Sequence, residues 1–173
     1  MSATTAAASD HIIVRPHPRF APNLPASHSV KEQLHGTWRL VSWNVEQSDG
    51  ELVSSPLGPD PLGWIMYHPD GRMCVALMRP DCPRFASNNL REATAEEIKS
   101  GFEGFIGYCG FYEVDEREHL VVHHLELSSF PNLVGTEQKR HFEFAGGRLI
   151  LTTPHLTLFD ETQIHRLVWQ RLN

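Results

Sequence analysis

The sequence contains little cysteine, no long apolar run and no excess of basic residues, and each shortage argues against a class of protein. Only three cysteines occur among 173 residues, and no Cys-x-x-Cys pair is present, so a disulfide framework and a structural zinc site are not expected. The net charge is −6, whereas proteins that bind nucleic acid present basic surfaces. No apolar run approaches the ~20 residues of a membrane-spanning helix. Neither nucleic acid nor a membrane is therefore expected as a partner.

The first 29 residues differ in composition from the rest of the chain. Residues 1–10 lack both the basic and the apolar region of a secretory signal and contain no arginine, which favours a cytoplasmic protein. Four prolines follow between positions 16 and 25, with little apolar periodicity. This pattern predicts a flexible tail over residues 1–29. Residues 30–173 are then expected to form one domain with a single core.

From Gly36 onward the sequence predicts mainly β-strands. Segments rich in β-branched and aromatic residues are separated by turn signals, among them Asp49-Gly50, Pro69-Asp70-Gly71 and Gly146-Gly147. About eight such segments occur, and most of them are joined by hairpins. Hairpin connections at this strand number predict an antiparallel up-and-down barrel, which leaves no open edge and encloses a cavity.

One short helix is expected between strands near the middle of the chain. Thr94 and Glu97 have the spacing of a capping box, in which each side chain bonds the backbone of the other residue. Ile98, Phe102 and Phe105 then recur at helical spacing, which predicts an apolar face. We expect this helix to pack over the sheet or across an opening of the barrel.

Several stretches of the chain resemble the lipocalin-like domain family of bacteria and fungi. In chain order they are GTWRLVSW, YHPDGRM, LMRPDCPRFAS, YEVDE, HHLELSSFPNLVGTEQ and HRLVWQR. In the lipocalin pattern a tryptophan in the first strand closes the barrel floor and a late arginine packs over it, which points to Trp38 and Arg166. Related barrels in fungal biosynthetic pathways act as cyclases or isomerases. The resemblance therefore implies an eight-stranded lipocalin-like barrel that acts on polyketide- or terpenoid-type molecules.

Alternation along each strand predicts which side chains face the interior, because successive side chains of a strand point to opposite faces. In residues 136–144 one face carries two phenylalanines together with Arg140, whereas the other face is charged. Arg140 is therefore expected inside. The same reasoning turns His123 and Leu127 inward and His124 outward. The predicted inner site residues are Tyr67, Leu77, Tyr108, Tyr112, His123, Gln138, Arg140, Phe142 and His165.

Three of these side chains are candidates for catalysis. His123 would act as a general acid and base, Arg140 would stabilise negative charge on a substrate oxygen, and Tyr112 would orient the substrate. The alternative is structural: a core histidine and tyrosine with satisfied polar atoms, and an arginine in an ion pair or packed on Trp38. Neither His123 nor Arg140 has an acidic residue on its own face, so we expect a ligand oxygen to serve as the partner.

These expectations define one leading function and two alternatives. The leading function is a cofactor-free cyclase or isomerase that folds a small hydrophobic intermediate by proximity; no metal is expected, since no His-x-His or HExxH spacing occurs. The alternatives are a non-catalytic carrier of such a molecule and a partner-binding protein with a fully packed barrel. A homodimer is compatible with each. The loop over residues 79–85 is either a lid at the barrel mouth or an ordinary connection.

Overall fold

A computed structural model describes residues 29–158 and 161–172, without the side chains at positions 156–158, 161 and 162. The elements are α1 (Val30–Leu34), β1 (Gly36–Gln47), β2 (Leu52–Ser54), β3 (Leu62–Tyr67), β4 (Arg72–Met78), a 3-10 turn (Leu90–Glu92), α2 (Ala95–Glu103), β5 (Phe105–Asp115), β6 (Leu120–Ser128), a 3-10 turn (Pro131–Leu133), β7 (Glu137–Ala145), β8 (Arg148–Thr152), β9 (Leu156–Leu158) and β10 (Glu161–Arg171). The predicted tail lies outside the described residues except for Ser29. No helix of the described part is long and apolar enough to cross a membrane.

Eight of the strands close into an antiparallel barrel in the order β1-β3-β4-β5-β6-β7-β8-β10, and β10 pairs back onto β1. Neighbours in the sheet are neighbours in the chain, as in an up-and-down barrel. The short strands β2 and β9 pair with β1 and β10 at one end of the barrel. The predicted all-β barrel is therefore confirmed, with two three-residue strands that the sequence analysis did not predict.

The turn at Gly146-Gly147 shows why the hairpin signals were informative. Both glycines have positive φ, at 57° and 74°, as a two-residue type I′ turn requires. This turn sets Phe144 opposite Leu149 and Phe142 opposite Leu151. The apolar faces of β7 and β8 therefore match on the inner side of the barrel, as alternation predicts.

The helix α1 and Trp38 close one end of the barrel, which we call the floor. The Ser29 hydroxyl accepts a hydrogen bond from the Glu32 N–H, and the Glu32 carboxylate accepts one from the Ser29 N–H, a complete capping box. Leu34 is fully buried, and its carbonyl accepts a hydrogen bond of 2.8 Å from the indole nitrogen of Trp38. Ser29 therefore belongs to the domain and not to the tail.

The arginine that packs on Trp38 is Arg171, and the prediction of Arg166 is wrong. The Arg171 guanidinium lies 4.1 Å over the Trp38 ring and donates to the carbonyl oxygens of Gln33 and His35. Arg166 is exposed. The physical reason is alternation: the odd-numbered residues of β10 face the interior, so position 171 can reach the floor and position 166 cannot.

A bulge in β1 changes which of its side chains face inward. The register with β10 shifts between Leu40 and Ser42, so Val41 is an extra residue in that strand. Before the bulge, Trp38 and Leu40 face the core; after it, Val45 is buried and Trp43 packs against the core. Unbroken alternation would have turned Trp43 outward.

A second bulge, in β6, makes the prediction for Leu127 wrong. Gly110 pairs with Leu125 and Cys109 pairs with Leu127, so Glu126 has no opposite residue. Leu127 is turned outward and is 66% exposed. A Cβ at Gly110 would collide with the carbonyl oxygen of His124, so glycine permits the close approach of the strands at the bulge.

The helix α2 begins at the predicted cap but does not bury the predicted face. Thr94 and Glu97 form both bonds of the capping box. Ile98 and Phe102 are about half exposed, and Phe105 is the first residue of β5. The expected packing of an apolar helix face is therefore wrong, because the spacing that suggested it extended from the helix into the following strand.

The loop before α2 is attached to that helix at the end of the barrel opposite the floor. The Arg79 guanidinium donates to the Ser100 hydroxyl at 3.0 Å, and the Ala86 N–H donates to the Glu97 carboxylate at 2.6 Å. Residues 79–86 and α2 therefore form one connected unit between β4 and β5.

Two of the three cysteines form a disulfide that the sequence analysis did not predict. Cys74 and Cys109 face each other across β4 and β5, with their Cα atoms 4.1 Å apart, and Cys82 is free. The disulfide lies on the outer face of the barrel, because Cys74 points away from the interior, into which its neighbours Met73 and Val75 are buried. A cross-strand pair depends on register, which a separation of 35 residues does not reveal.

Replacing Trp38 with alanine is expected to lower the free energy of unfolding by ~3–5 kcal/mol, because it leaves a cavity in a fully packed floor. Trp64, which is 55% exposed on β3, provides the matched control, since its replacement by alanine should cost less than ~1 kcal/mol. Urea denaturation followed by circular dichroism measures both. Equal urea midpoints for the Trp38 variant and the parent protein would contradict the assignment of Trp38 to the floor.

Candidate functional site

The side chains that close the floor are fully buried, and a few inner side chains elsewhere in the barrel are partly accessible. The floor residues with exposures of 0–2% are Leu34, Trp38, Tyr67, Leu149 and Trp169. The half-buried inner residues away from the floor are Trp43, Ile106, Gln138 and Arg140. The end of the barrel opposite the floor is formed by the β1–β3, β4–β5 and β6–β7 connections, and we call it the open end.

All nine predicted site residues lie on the inner face, but three of them, Tyr67, Tyr112 and Phe142, belong to the floor. The Tyr112 hydroxyl donates to the carbonyl oxygen of His68, in the β3–β4 turn, at 3.3 Å. The Phe142 ring lies 5.7 Å from the ring of His119, beside the β5–β6 turn, and 6.0 Å from that of Phe144. These contacts support structural roles for Tyr112 and Phe142. Leu77, Tyr108, His123, Gln138, Arg140 and His165 line the remainder of the interior.

Tyr67 and His123 form a buried hydrogen-bonded pair. The Tyr67 hydroxyl lies 2.7 Å from Nε2 of His123, and both side chains are at most 1% exposed. The Tyr112 ring packs edge-on against Tyr67 with 4.8 Å between ring centroids, and the Tyr108 ring lies 6.1 Å from that of His123. The pair is thus enclosed by aromatic side chains.

Both members of this pair are held in their neutral forms. Burial lowers the pKa of His123 well below its usual value, and the charges of Arg140 and His124 lower it further. Burial likewise raises the pKa of Tyr67 well above its usual value. Nδ1 of His123 has no hydrogen-bond partner in the described part of the chain. An orphan ring nitrogen in a dry interior is costly unless something else bonds it.

The second polar pair consists of Trp43 and His165, nearer the open end. The indole N–H of Trp43 donates to Nδ1 of His165 at 3.0 Å. Because an indole nitrogen can only donate, a neutral His165 must carry its proton on Nε2. Burial, together with the charge of Arg140, lowers the pKa of His165 to about 4. Nε2 is buried and has no described partner, so His165 offers an unused N–H donor.

Trp43 is a site residue that the sequence analysis missed. It forms the Trp43–His165 bond and packs against the core because Val41 is bulged. A twelve-residue strand that carries aromatic residues at both 38 and 43 contains an odd spacing, which strict alternation cannot place on one face. That odd spacing was the one available signal.

Arg140 brings positive charge to the interior. It lies on the inner face of β7, opposite Val121 of β6. Its positive charge acts to lower the pKa values of Tyr67, His123 and His165, which lie on three different strands. Its Nη1 donates to the carbonyl oxygen of Lys139 at 2.7 Å. No carboxylate of the described residues lies within ion-pair distance of it. A guanidinium with this many unused donors fits an oxygen ligand.

Two concavities open on the described surface. One, of about 320 Å³, adjoins Trp43 between β1, β2 and the loop over residues 55–61. The other, of about 590 Å³, lies on the outer face of β5–β7 among charged side chains. Neither concavity is lined by His165, Arg140 or His123, and the smaller one meets the inward polar set at Trp43. Within the described residues no three His, Cys, Asp or Glu side chains form a metal-binding group.

A closed eight-stranded barrel with a tryptophan floor and an inward polar set defines a lipocalin-like protein. Residues 35–172 match the lipocalin-like domain family, and the chain belongs to that family, which confirms the resemblance. A similar protein is the 4'-hydroxy-3'-methoxypropiophenone carrier protein of Aspergillus oryzae. It is 30% identical over 107 residues, covering 58% of this chain and 96% of the relative. Family and relative together support binding of a small molecule.

Stability is expected to fall as the pH is lowered from about 6.5 toward 4. The pKa of His165 is about 4 in the folded protein against 6.5 as the unperturbed value, so the unfolded chain takes up this proton first. Its stabilising contribution is therefore complete above pH ~6.5 and is lost below it, and His123 adds an effect of the same sign. Urea denaturation at several pH values measures this dependence.

The variant His165→Gln should lose less stability than the parent protein between pH ~6.5 and ~5, above the range in which most carboxylates titrate. His141→Gln is the control, because His141 is exposed on the outer face of β7, and it should follow the parent. A parent protein whose stability is constant over this interval would refute the neutral, buried state of the inner histidines.

Proposed function

We propose that this protein is a carrier that holds a small aromatic molecule with oxygen substituents in the open half of its barrel. The observation that carries this proposal is a pair of inward groups with unused donors. Nε2–H of His165 has no described partner, and the guanidinium of Arg140 donates to the Lys139 carbonyl and keeps further N–H groups. Donors of this kind are retained in an apolar interior when a ligand supplies the acceptor.

The walls of the open half favour an aromatic ligand. Trp43, Tyr108, Ile106 and Leu77 surround the polar groups with apolar and aromatic surface. Sites for small molecules generally combine such walls with a few polar groups that set the orientation of the ligand. The floor is packed solid, so the ligand would lie above the Tyr67–His123 pair and not against Trp38.

The relative suggests the chemical class of the ligand. Its name describes an aryl ketone whose ring also bears a hydroxyl and a methoxy group. Three oxygens around one flat, apolar ring suit a site with several donors and aromatic walls. We therefore propose that this chain binds a phenolic aryl ketone of the same class and releases it unchanged.

A second candidate, the cyclase or isomerase function, has one observation in its favour. The imidazole of His123 is neutral and has an unbonded Nδ1, a form in which histidine can serve as a general base. However, His123 is fully buried and its Nε2 is engaged by Tyr67. The carrier function, which needs no proton transfer, therefore takes precedence.

Titration with 4'-hydroxy-3'-methoxypropiophenone should quench the fluorescence of Trp43 in a saturable manner, and chromatography should recover the compound unchanged. His165→Phe should weaken binding by about tenfold, because it removes one hydrogen-bond donor. His141→Phe, on the outer face, is the control and should bind like the parent protein. Absence of saturable binding would overturn the carrier proposal for this class of ligand.

Turnover of the bound compound would instead support the enzyme. In that case His123→Ala should abolish turnover while binding stays nearly intact, and Arg140→Ala should weaken both. Arg140→Lys should not fully restore either, because lysine lacks the planar fork of donors. Normal turnover by a folded His123→Ala variant would exclude His123 as the catalytic base.

A further inference from the structure

We propose that the protein binds its ligand as an oxyanion, a phenolate paired with the guanidinium of Arg140, and not as the neutral phenol. This inference rests on the proposed carrier function and specifies the ionisation state of the ligand. It would make the barrel selective for phenols that ionise readily, over their methyl ethers.

The first argument is that Arg140 faces the interior without an anion. Carboxylates are present on the surrounding strands, but Glu113, Glu137 and Glu143 are all exposed on the outer face. The one hydrogen bond of the guanidinium within the described residues goes to the backbone carbonyl of Lys139. A guanidinium has five N–H donors, and a half-buried charge such as that of Arg140 is stabilised by a counter-charge nearby. An oxyanion on the ligand would provide that counter-charge.

The second argument is that no other side chain facing Arg140 carries a negative charge that would neutralise it, or a positive charge that would also attract an oxyanion. The titratable side chains that face it are Tyr67 on β3, Tyr108 and Tyr112 on β5, His123 on β6 and His165 on β10. The two histidines are held neutral, since burial lowers the pKa of each, and burial raises the pKa of Tyr67. Arg140 is therefore the charged group among these inward side chains, and the neighbouring N–H and O–H groups can still donate to an oxyanion.

The third argument concerns the chemistry of the ligand. An ordinary phenol has a pKa of about 10, and a carbonyl group para to the hydroxyl lowers it by delocalising the phenolate charge. An opposite charge within a few ångströms lowers a pKa by about 1–3 units more. A phenolic aryl ketone beside Arg140 would thus ionise at neutral pH. The O–H bond breaks on binding, the oxygen keeps the electron pair, and the proton passes to the solvent buffer.

The test compares two probes, 4'-hydroxy-3'-methoxypropiophenone and its methyl ether 3',4'-dimethoxypropiophenone, which cannot ionise. Titrations are recorded about one pH unit below the pKa of the free phenol, and ultraviolet absorption distinguishes phenol from phenolate, because the phenolate absorbs at longer wavelength. In the parent protein the hydroxy ketone should bind with the phenolate spectrum and release about one proton. The methyl ether should bind about 10- to 100-fold more weakly.

Arg140→Met should remove the phenolate band and weaken binding of the hydroxy ketone by about 10- to 100-fold, whereas binding of the methyl ether should weaken by a smaller factor. Lys139→Met is the matched control: it removes a neighbouring positive charge from the exposed outer face and should preserve the band. Circular dichroism confirms that both variants are folded.

Two results would overturn the inference, and they are distinguishable. If the hydroxy ketone binds with the spectrum of the neutral phenol and the methyl ether binds equally well, the carrier function stands and the phenolate is excluded. If neither probe binds, the proposed carrier function for this ligand class fails and the phenolate inference fails with it.

Discussion

The pairing of β10 with β1, which closes the sheet, is the constraint on which the rest of the structure depends. Closure means that every inward polar atom must find its partner among a fixed set of inward neighbours or leave its hydrogen bond unmade. Val41 is bulged within this same pairing, and the bulge turns Trp43 toward His165. One local irregularity at the closing seam thus determines which nitrogen of His165 is bonded and which is left as a donor.

The two ends of the barrel differ in how their polar groups are hydrogen-bonded. At the floor, α1, Trp38 and Arg171 are joined by hydrogen bonds and packing. The Trp38 indole N–H donates to the Leu34 carbonyl, and the Arg171 guanidinium packs on the indole ring and donates to the His35 carbonyl at the end of α1. Toward the open end the pairings are incomplete, and His165 and Arg140 keep unused donors. The floor stabilises the barrel by packing and by these paired groups, although the buried indole N–H of Trp169 has no described partner. Binding is proposed toward the open end.

The sequence was sufficient to predict whatever depends on local chemistry. The glycine turn at 146–147, the capping box at Thr94 and the inward faces of β3, β4 and β7 follow from residue type and alternation alone, and the structure confirms them. The predictions are wrong where the pairing with a distant strand introduces a bulge, because a bulge reverses which side chains of the strand face inward. The bulges turn Leu127 outward and Trp43 inward, opposite to what strict alternation would give. The register of β4 with β5 places Cys74 opposite Cys109. For Tyr112 the sequence left a catalytic and a structural role open, and only the folded chain shows that its hydroxyl donates to the His68 carbonyl, which favours the structural role.

The most direct test of the central claim, that the open half of the barrel is the binding site, is to locate a bound molecule by nuclear Overhauser effects. With isotopically labelled protein and unlabelled 4'-hydroxy-3'-methoxypropiophenone, the account predicts contacts from the aromatic protons of the ligand to Trp43, Tyr108, Leu77 and His165. It predicts none to Leu34 or Trp38 at the packed floor. Contacts confined to the outer face, for example to Glu113 and Lys139 in the larger concavity, would contradict the account.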